Sequence, residues 1–323
     1  MSANVTAVVN GTQTMSRCFN HEELRIVYMV AFCLVFVASL VGNTFIGIIV
    51  YKTKSLKKPI NFFIVNMAIS DLLYPIFMLP QDLASLFTSG SWLIRGPLGQ
   101  ALCKLVSFSI NVSTLVSSQS LVLIAVDRFV AVIFPLRSPL FSSKQCRFFI
   151  LATWIITMVT RWPILFFSEM VKYSDRLICT PERSSYFQNY TVAIIAVGFY
   201  VPLVLIAILY LTIALTIKSH KTLGEQSANT SEQRLKRERI VLKMSIAIVL
   251  AFAMCWLPLT IWWLVHFYLP DKTMRWSCGF RYFAEIARFL MYTYCAVNPC
   301  ICFVYMGRYR QGLKNLLYGH TVL

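Results

Sequence analysis

Seven long runs of apolar residues alternate with short polar segments along this chain. The runs are Ile26–Tyr51, Ile60–Phe87, Ala101–Val126, Phe148–Ser168, Tyr190–Ile217, Met244–Leu269 and Tyr282–Met306. Each reaches the roughly 20 residues that a helix needs to cross a bilayer. A helix satisfies its own backbone hydrogen bonds in lipid, whereas an open strand does not. The pattern therefore predicts an all-α membrane protein, a seven-transmembrane helix bundle.

Polar segments outside these runs suggest three parts. Residues 1–24 form an N-terminal segment, residues 25–306 the bundle, and residues 307–323 a short tail. In the tail, bases at Arg308, Arg310 and Lys314 are interspersed with apolar side chains at helical spacing. This pattern is typical of an amphipathic helix that lies on a membrane surface. We expect a short eighth helix there.

Composition agrees with a membrane protein. Hydrophobic residues make up 58% of the chain and charged residues 13%, against about 45–50% and about 25% in soluble domains. The net charge of +17 could indicate nucleic acid as a partner. However, the bases lie in short loops between the apolar runs, so membrane orientation explains them better, and no nucleic acid is expected.

Basic residues cluster in the loops after the odd-numbered spans. They include Lys52, Lys54, Lys57, Lys58, Arg137, Lys144, Arg147, Lys218, Lys221, Arg234, Lys236, Arg237 and Arg239. Loops rich in Lys and Arg stay in the cytosol. We therefore expect an extracellular N-terminus, a cytosolic tail and a location in the plasma membrane.

Outer-side residues fit this orientation. The sequons at Asn4, Asn10 and Asn189 would face outside and are expected to be glycosylated. Four cysteines, Cys18, Cys103, Cys179 and Cys278, fall on the same side, where disulfides persist.

One motif in each span carries a family resemblance. In order they are Gly42–Asn43, "NMAISDLL" with Asp71, the Asp127–Arg128–Phe129 triplet, Trp154, Pro202 with Tyr210, "CWLP" at Cys255–Pro258, and "NPCIC" at Asn298–Cys302. With these motifs the chain resembles the rhodopsin-like family of G-protein-coupled receptors over roughly residues 24–317. The resemblance implies a receptor rather than an enzyme.

This resemblance assigns a switch to the inner half. Asp127 would neutralise Arg128, and Glu238 would be a second partner of that arginine. The switch would also use Tyr210, Phe252, Trp256, Pro258, Asn298 and Pro299. Outward movement of the sixth helix would then admit a heterotrimeric G protein. The alternative is that the charge pair only anchors the helix end in the headgroups.

Asp71 would lie in mid-membrane, where a carboxylate must be neutralised, hydrated or paired. The resemblance implies that Asn43, Ser117 and Asn298 gather around it with a sodium ion; no other cofactor is expected. A protonated, purely structural Asp71 is the alternative. The resemblance also implies two disulfides, Cys103–Cys179 and Cys18–Cys278.

Two positions depart from the family pattern in ways that bear on the switch. Cys302 replaces the tyrosine that usually ends the seventh-helix motif, so the active state is expected to be less well stabilised. Ser118 replaces a bulky aliphatic residue between Pro202 and Phe252. We expect another side chain to fill that space.

Residues near the outer ends of the spans are candidates for ligand binding. Ile110 and Tyr292 replace the acid of amine receptors and the lysine of opsins, which argues against those classes. The candidates are Gln81, Asp82, Asn111, Glu169, Trp256, His266, Glu285 and Arg288. The alternative for Glu285 and Arg288, spaced i,i+3, is that they pair with each other. Arg161 is expected to be paired or to extend to the interface, with ligand binding as the alternative.

Acids at the cavity mouth would suit a basic or amidated peptide. The chain also resembles neuropeptide receptors of the neuropeptide Y, galanin and RFamide groups. A lipid or other small molecule is the alternative ligand, and a seven-helix transporter or channel the alternative class. Arrestin, a receptor kinase and membrane lipid are further expected partners.

Overall fold

The computed structural model describes residues 22–88, 91–134, 141–173, 176–182, 184–222, 229–268 and 277–318. Asn4, Asn10 and Cys18 lie outside these residues. Glu238 lies on a described helix, but its side chain lies outside what the structure describes. Asn189 is exposed near the start of the fifth long helix, and its glycosylation stays a prediction.

Seven helices in the described part are long and apolar enough to cross a membrane, which confirms the predicted bundle. The helices are α1 Glu22–Lys52, α2 Pro59–Phe87, α3 Gly96–Ile133, α4 Ser143–Arg161, α5 in three consecutive pieces (Ser185–Ile195, the π-helical turn Ala196–Tyr200, and Val201–Thr222), α6 Asn229–Tyr268, α7 Cys278–Tyr305 and α8 Gly307–Leu317. A 3₁₀ turn, Lys54–Leu56, joins α1 to α2.

A two-stranded hairpin interrupts the otherwise helical fold. Strand β1, Ser168–Tyr173, pairs antiparallel with β2, Arg176–Pro181. The fourth span was predicted to continue to Ser168, but α4 ends at Arg161 and a single helical turn, Ile164–Phe167, follows it. Pro163, which has no N–H for a helix bond, lies at this break.

Two links hold the hairpin over the outer end of α3. The disulfide Cys103–Cys179 joins α3 to β2, as predicted. The Gln100 side chain donates to the Ser168 carbonyl at 3.2 Å and accepts from the Met170 N–H at 2.9 Å. Cys278 is also disulfide-bonded, and its expected partner Cys18 lies outside the described residues.

Side chains inside the bundle form two apolar clusters. The inner cluster surrounds Phe63, Ile124, Ile248 and Phe252, and the outer cluster includes Phe32, Tyr74, Met291 and Tyr292. Trp256 packs against both clusters. Large apolar side chains such as Val27, Leu34, Val159, Leu211 and Met254 are exposed on the outer surface of the helices. In a bilayer this surface contacts lipid, so exposing it there carries no hydrophobic penalty.

Helix α8 packs against the inner end of the bundle. Tyr309 is fully buried and donates a hydrogen bond to Asn61 Oδ1 at 3.1 Å. Burial raises the pKa of the Tyr309 phenol, which keeps its proton available for that bond. Gly312 allows close approach, because a Cβ there would lie 2.5 Å from Ile49 Cγ2. The predicted eighth helix is confirmed, but Tyr309 faces the bundle and not the lipid.

Gly42 provides a test of the α1–α7 contact. A Cβ at this position would lie 2.7 Å from Pro299 Cγ, whereas a Cβ at Gly47 on the same helix would meet nothing within 4 Å. Gly42→Val should therefore lower the free energy of unfolding by about 1–3 kcal/mol through overpacking. Thermal unfolding of the purified protein measures this, with Gly47→Val as the control. Equal unfolding temperatures for the two variants would contradict the close contact.

Candidate functional site

Asp71 is the centre of a polar network in the middle of the bundle. Its side chain is 1% exposed. The Ser117 hydroxyl donates to Asp71 Oδ1 at 2.5 Å, and Asn298 Nδ2 donates to Oδ2 at 2.7 Å. Ser70 extends the network through its contact with Ser117 at 2.8 Å. Helices α2, α3 and α7 are thereby joined through one carboxyl group.

Asn43, another residue expected at the sodium site, donates its side-chain amide to two backbone carbonyls. Its Nδ2 donates to the Cys295 carbonyl of α7 at 2.8 Å and to the Ser39 carbonyl at 2.9 Å. Pro299 has no N–H to serve the carbonyl four residues earlier, which is that of Cys295. The Asn43 amide supplies the missing donor. Its role here is therefore to satisfy a proline break and to tie α1 to α7.

Ser118 of α3 likewise supplies a hydrogen-bond donor to a carbonyl of α5 that precedes a proline. Its buried hydroxyl donates to the Gly198 carbonyl at 2.8 Å. Gly198 precedes Pro202 by four residues and lies in the π-helical turn, so its carbonyl also lacks the usual N–H donor. The hydroxyl of Ser118 therefore has a role that the resemblance did not indicate, and the expectation that another side chain fills the space beside it stays a prediction.

An aromatic column connects the middle of the bundle with its inner half. The Phe252 ring lies 6.1 Å from Trp256, 5.4 Å from Phe199 and 5.3 Å from Tyr294, measured between centroids. Phe252 is fully buried, and Trp256 is its neighbour one turn toward the outside. Movement of the Trp256 ring would therefore displace the Phe252 ring.

The charge pair predicted at the inner end of α3 is present. Arg128 Nη2 lies 2.5 Å and Nε 3.2 Å from Asp127 Oδ2. The Asp127 side chain is 4% exposed and that of Arg128 12%, so the pair is largely shielded from solvent. Tyr210, on α5, is a further expected member of the switch. Its hydroxyl makes no hydrogen bond within the described part of the chain.

Three of the predicted ligand residues meet at the outer ends of α2 and α7. Arg288 Nη1 lies 3.1 Å from both carboxylate oxygens of Glu285. Asp82 is buried, and its charge interacts with that of Arg288. The hydroxyls of Tyr74 and Tyr292 are buried beside this group without a hydrogen-bond partner among the described residues. We refer to Asp82, Glu285 and Arg288 as the outer charge cluster.

The other predicted ligand residues are dispersed. Glu169 is exposed on β1, and Gln81 is half-buried on α2. Asn111 donates to the Ser107 carbonyl of its own helix at 2.9 Å. His266 stacks on Trp262, with centroids 5.1 Å apart and planes at 17°. These side chains do not form a single polar site.

An aromatic wall along α5, α6 and α7 was not predicted. His266 belongs to it, and its rings are linked by contacts among Phe167, Phe187, Trp262, Trp263, Phe267 and Phe280. The adjacent tryptophans in "IWWLVHF" were the available signal. Helical periodicity does not say which neighbouring helix faces them, so the sequence did not reveal the wall.

Arg161 differs from its expected position. Its side chain is 3% exposed, so it does not extend to the interface. It makes no ion pair among the described residues, and its Nε and Nη1 have no hydrogen-bond partner there. The expectation of extension to the headgroups is wrong, and part of the guanidinium interacts with the Tyr190 phenol. The residue is instead held inside the bundle.

Comparison with known proteins gives one consistent result. The family described as "7 transmembrane receptor (rhodopsin family)" matches residues 42–302. The RYamide receptor of Drosophila melanogaster is 31% identical over 303 residues, which cover 91% of this chain and 63% of that receptor. This chain thus spans less than two thirds of the fly protein.

Two further relatives cover more of their own length. The RYamide receptor of Tribolium castaneum is 27% identical over 96% of this chain and 84% of that receptor. The neuropeptide FF receptor 2 of Mus musculus is 28% identical over 92% of this chain and 73% of that receptor.

Removal of the Ser118 hydroxyl tests the proline-break bond in α5. Ser118→Ala leaves the buried Gly198 carbonyl without its donor, so the free energy of unfolding should fall by about 1–3 kcal/mol. Thr160→Ala is the control, since that hydroxyl bonds only to carbonyls of its own helix. Thermal unfolding in a constant detergent measures both. No difference between the variants would argue against the bond.

Proposed function

The chain belongs to the rhodopsin family of seven-transmembrane receptors, and we propose that it binds an extracellular neuropeptide and activates a heterotrimeric G protein. The observation that carries this proposal is the outer charge cluster, in which Asp82 is buried and Glu285 and Arg288 are half-buried. The cluster lies at the outer end of the bundle. The same bundle holds the Trp256–Phe252 column in its middle and the Asp127–Arg128 pair at its inner end. Charges buried in a membrane bundle are costly and usually functional.

The outer charge cluster suits a ligand with a cationic side chain. It holds two acids and one base, so its Glu285–Arg288 pair can exchange partners with an incoming arginine. Among the similar proteins are receptors named for RYamide and neuropeptide FF. We therefore propose an amidated peptide ending in Arg-Tyr or Arg-Phe, with its arginine at Asp82 and Glu285 and an aromatic ring against the wall near Trp262.

Activation would be a shift between two bundle conformations. A peptide that binds the open conformation better moves the equilibrium by its difference in affinity. Pro258 breaks α6 as Pro202 and Pro299 break α5 and α7. However, no side chain of another described helix donates to the Met254 carbonyl four residues before Pro258, and Met254 is 66% exposed. This supports α6 as the helix that moves outward.

Two observations support the orientation that we propose. The bases lie on the side of the α1–α2 and α3–α4 loops and of α8, and the Cys103–Cys179 disulfide lies at the opposite end. Disulfides persist outside the cytosol. We propose that the N-terminus is extracellular in the plasma membrane, and that arrestin, a receptor kinase and membrane lipid act at the cytosolic face.

We further propose that a sodium ion binds beside Asp71. The Asp71 carboxylate and the Ser117 hydroxyl offer oxygen ligands, and Asn298 Oδ1 is buried and accepts no hydrogen bond among the described residues. A hard cation takes such oxygens. When bound, the ion would neutralise the carboxylate and favour the resting conformation. Asn43 Nδ2 serves the Cys295 carbonyl, which leaves only its Oδ1 for such a site.

A direct assay tests the proposed activity. Membranes that contain the full chain and a G-protein heterotrimer are treated with peptides ending in Arg-Tyr-amide or Arg-Phe-amide, or with a panel of lysophospholipids. Accelerated GDP release with the peptides supports the proposal. A response to lipids alone would favour the alternative ligand class, and ion current without G protein would favour a channel.

Asp82→Asn should reduce the potency of an Arg-Tyr-amide peptide at least tenfold. The substitution removes a buried negative charge while it keeps the shape of the side chain, and a buried charged hydrogen bond is worth about 1.5–3 kcal/mol. Glu182→Gln, at an exposed acid beyond β2, is the control. Concentration–response curves for GDP release measure both. Equal potency in the two variants would exclude Asp82 from the peptide site.

Asp127→Asn should raise GDP release in the absence of peptide several-fold. The substitution removes the negative charge that holds Arg128 at 2.5 Å, so the resting conformation loses part of its stabilisation. Arg147→Gln, an exposed base at the inner end of α4, is the control. An unchanged basal rate in Asp127→Asn would show that the pair only anchors the end of α3.

Asp71→Asn should abolish the effect of sodium on peptide affinity. In the wild-type chain, replacing N-methylglucamine by Na⁺ at constant ionic strength should weaken peptide binding, because the ion favours the resting conformation. The variant lacks the carboxylate charge and should bind equally in both salts. Binding of a labelled Arg-Tyr-amide peptide measures this. Sodium dependence that survives in the variant would place the ion elsewhere.

A further inference from the structure

Arg161 is a buried base that no role described so far requires. It is the last residue of α4, and its side chain is 3% exposed. Part of the guanidinium interacts with the Tyr190 phenol, which itself donates to the Thr160 carbonyl at 2.9 Å. Nε and Nη1 have no hydrogen-bond partner within the described residues. The side chain thus keeps two unused donors.

Such a group is expensive in an apolar interior. A buried charge is normally paired or hydrogen-bonded throughout, and arginine cannot escape the cost by losing its proton. Arg288 and Arg128, by contrast, each face a carboxylate within 3.1 Å. A buried base with unused hydrogen-bond donors is therefore suited to bind an acceptor group of a ligand.

The chain leaves space for this base where α3, α4 and α5 pack together, a place that we call the seam. A Cβ added to Gly198 would lie 2.9 Å from Arg161 Nη2 and 3.4 Å from Leu115 Cδ1. Any side chain at position 198 would displace the guanidinium. Gly198 lies in the π-helical turn of α5, and such turns frequently occur at functional sites. The base is held against the interior faces of α3 and α5.

We propose that Arg161 is a second ligand anchor, which binds the C-terminal carboxamide oxygen of the peptide. This rests on the proposed function and deepens it. The guanidinium fork can donate two hydrogen bonds to one acceptor group. The peptide arginine then belongs to the outer charge cluster at α2 and α7, and its amidated end to Arg161 on the opposite side of the bundle. A ligand held at both points would bridge α7 to the α3–α5 seam.

The test combines a receptor change with a ligand change. The variants are Arg161→Met, Arg161→Lys and, as the matched control on α4, Arg147→Met at an exposed position. The ligands are a peptide ending in Arg-Tyr-amide and the same peptide ending in Arg-tyramine, which lacks the terminal carboxamide. Potency for GDP release and the unfolding temperature of the ligand-free protein are measured for each variant.

In the wild-type chain and in Arg147→Met, loss of the carboxamide should lower potency at least tenfold. In Arg161→Met both peptides should act at the same, lower potency, because the ligand group and its donor are coupled. Arg161→Lys should retain part of the difference. The ligand-free Arg161→Met protein should unfold at an equal or higher temperature, because Nε and Nη1 bind nothing among the described residues in that state and the variant no longer buries a charge.

Two results would overturn the anchor. One is a carboxamide effect in Arg161→Met as large as in the wild type. The other is a clearly lower unfolding temperature of ligand-free Arg161→Met than of Arg147→Met, since the base would then have a structural role. If the wild-type chain responds to neither peptide, the proposed function fails instead, and the unfolding temperatures alone decide on Arg161.

Discussion

Proline breaks inside lipid-facing helices impose the constraint on which the rest of this structure depends. Each such proline removes the N–H that would serve the carbonyl four residues earlier, and the surrounding hydrocarbon offers no water to replace it. In α7 the Asn43 amide from α1 supplies the donor, and in α5 the Ser118 hydroxyl from α3 does so. At these two prolines the missing helix bond is therefore replaced by a hydrogen bond that joins two helices.

The same requirement separates a fixed frame from a part that can move. Asp71 joins α2, α3 and α7 through Ser117 and Asn298, and the two proline bonds add α1 and α5. The break in α6 at Pro258 has no comparable donor among the described helices. Contacts between α6 and the frame include the aromatic contacts of Phe252 with Phe199 and Tyr294 and one hydrogen bond, between the Tyr200 and Thr260 hydroxyls at 3.2 Å. Aromatic packing tolerates sliding better than a short buried hydrogen bond does.

The three arginines inside or at the edge of the bundle are held in different ways. Arg128 lies against its neighbour Asp127, and Arg288 against Glu285 one helical turn away. Both pairs are local in sequence, so they form within one helix. Arg161 has no acid at a suitable spacing, and Gly198 only gives it space. A ligand can therefore replace the carboxylate partner of a paired arginine, or bind the unused donors of Arg161.

Local patterns in the sequence determined the seven helices, the eighth helix and the two ion pairs. The family resemblance predicted the Cys103–Cys179 disulfide. The helices and the ion pairs depend on hydrophobic length or on residues near each other along the chain, and a sequence displays both directly, whereas the disulfide joins residues 76 apart and came from the resemblance. The pair at Glu285 and Arg288 follows from their spacing on one helix, and Asp127 and Arg128 are adjacent.

Contacts between distant helices were decided only by the tertiary structure. The sequence did not reveal that the Asn43 amide and the Ser118 hydroxyl donate to carbonyls more than 75 residues away. The hairpin after α4, the aromatic wall and the buried Arg161 belong to the same group. Which carbonyl lacks a donor can be read from a proline, but which neighbouring side chain reaches it depends on how the helices pack.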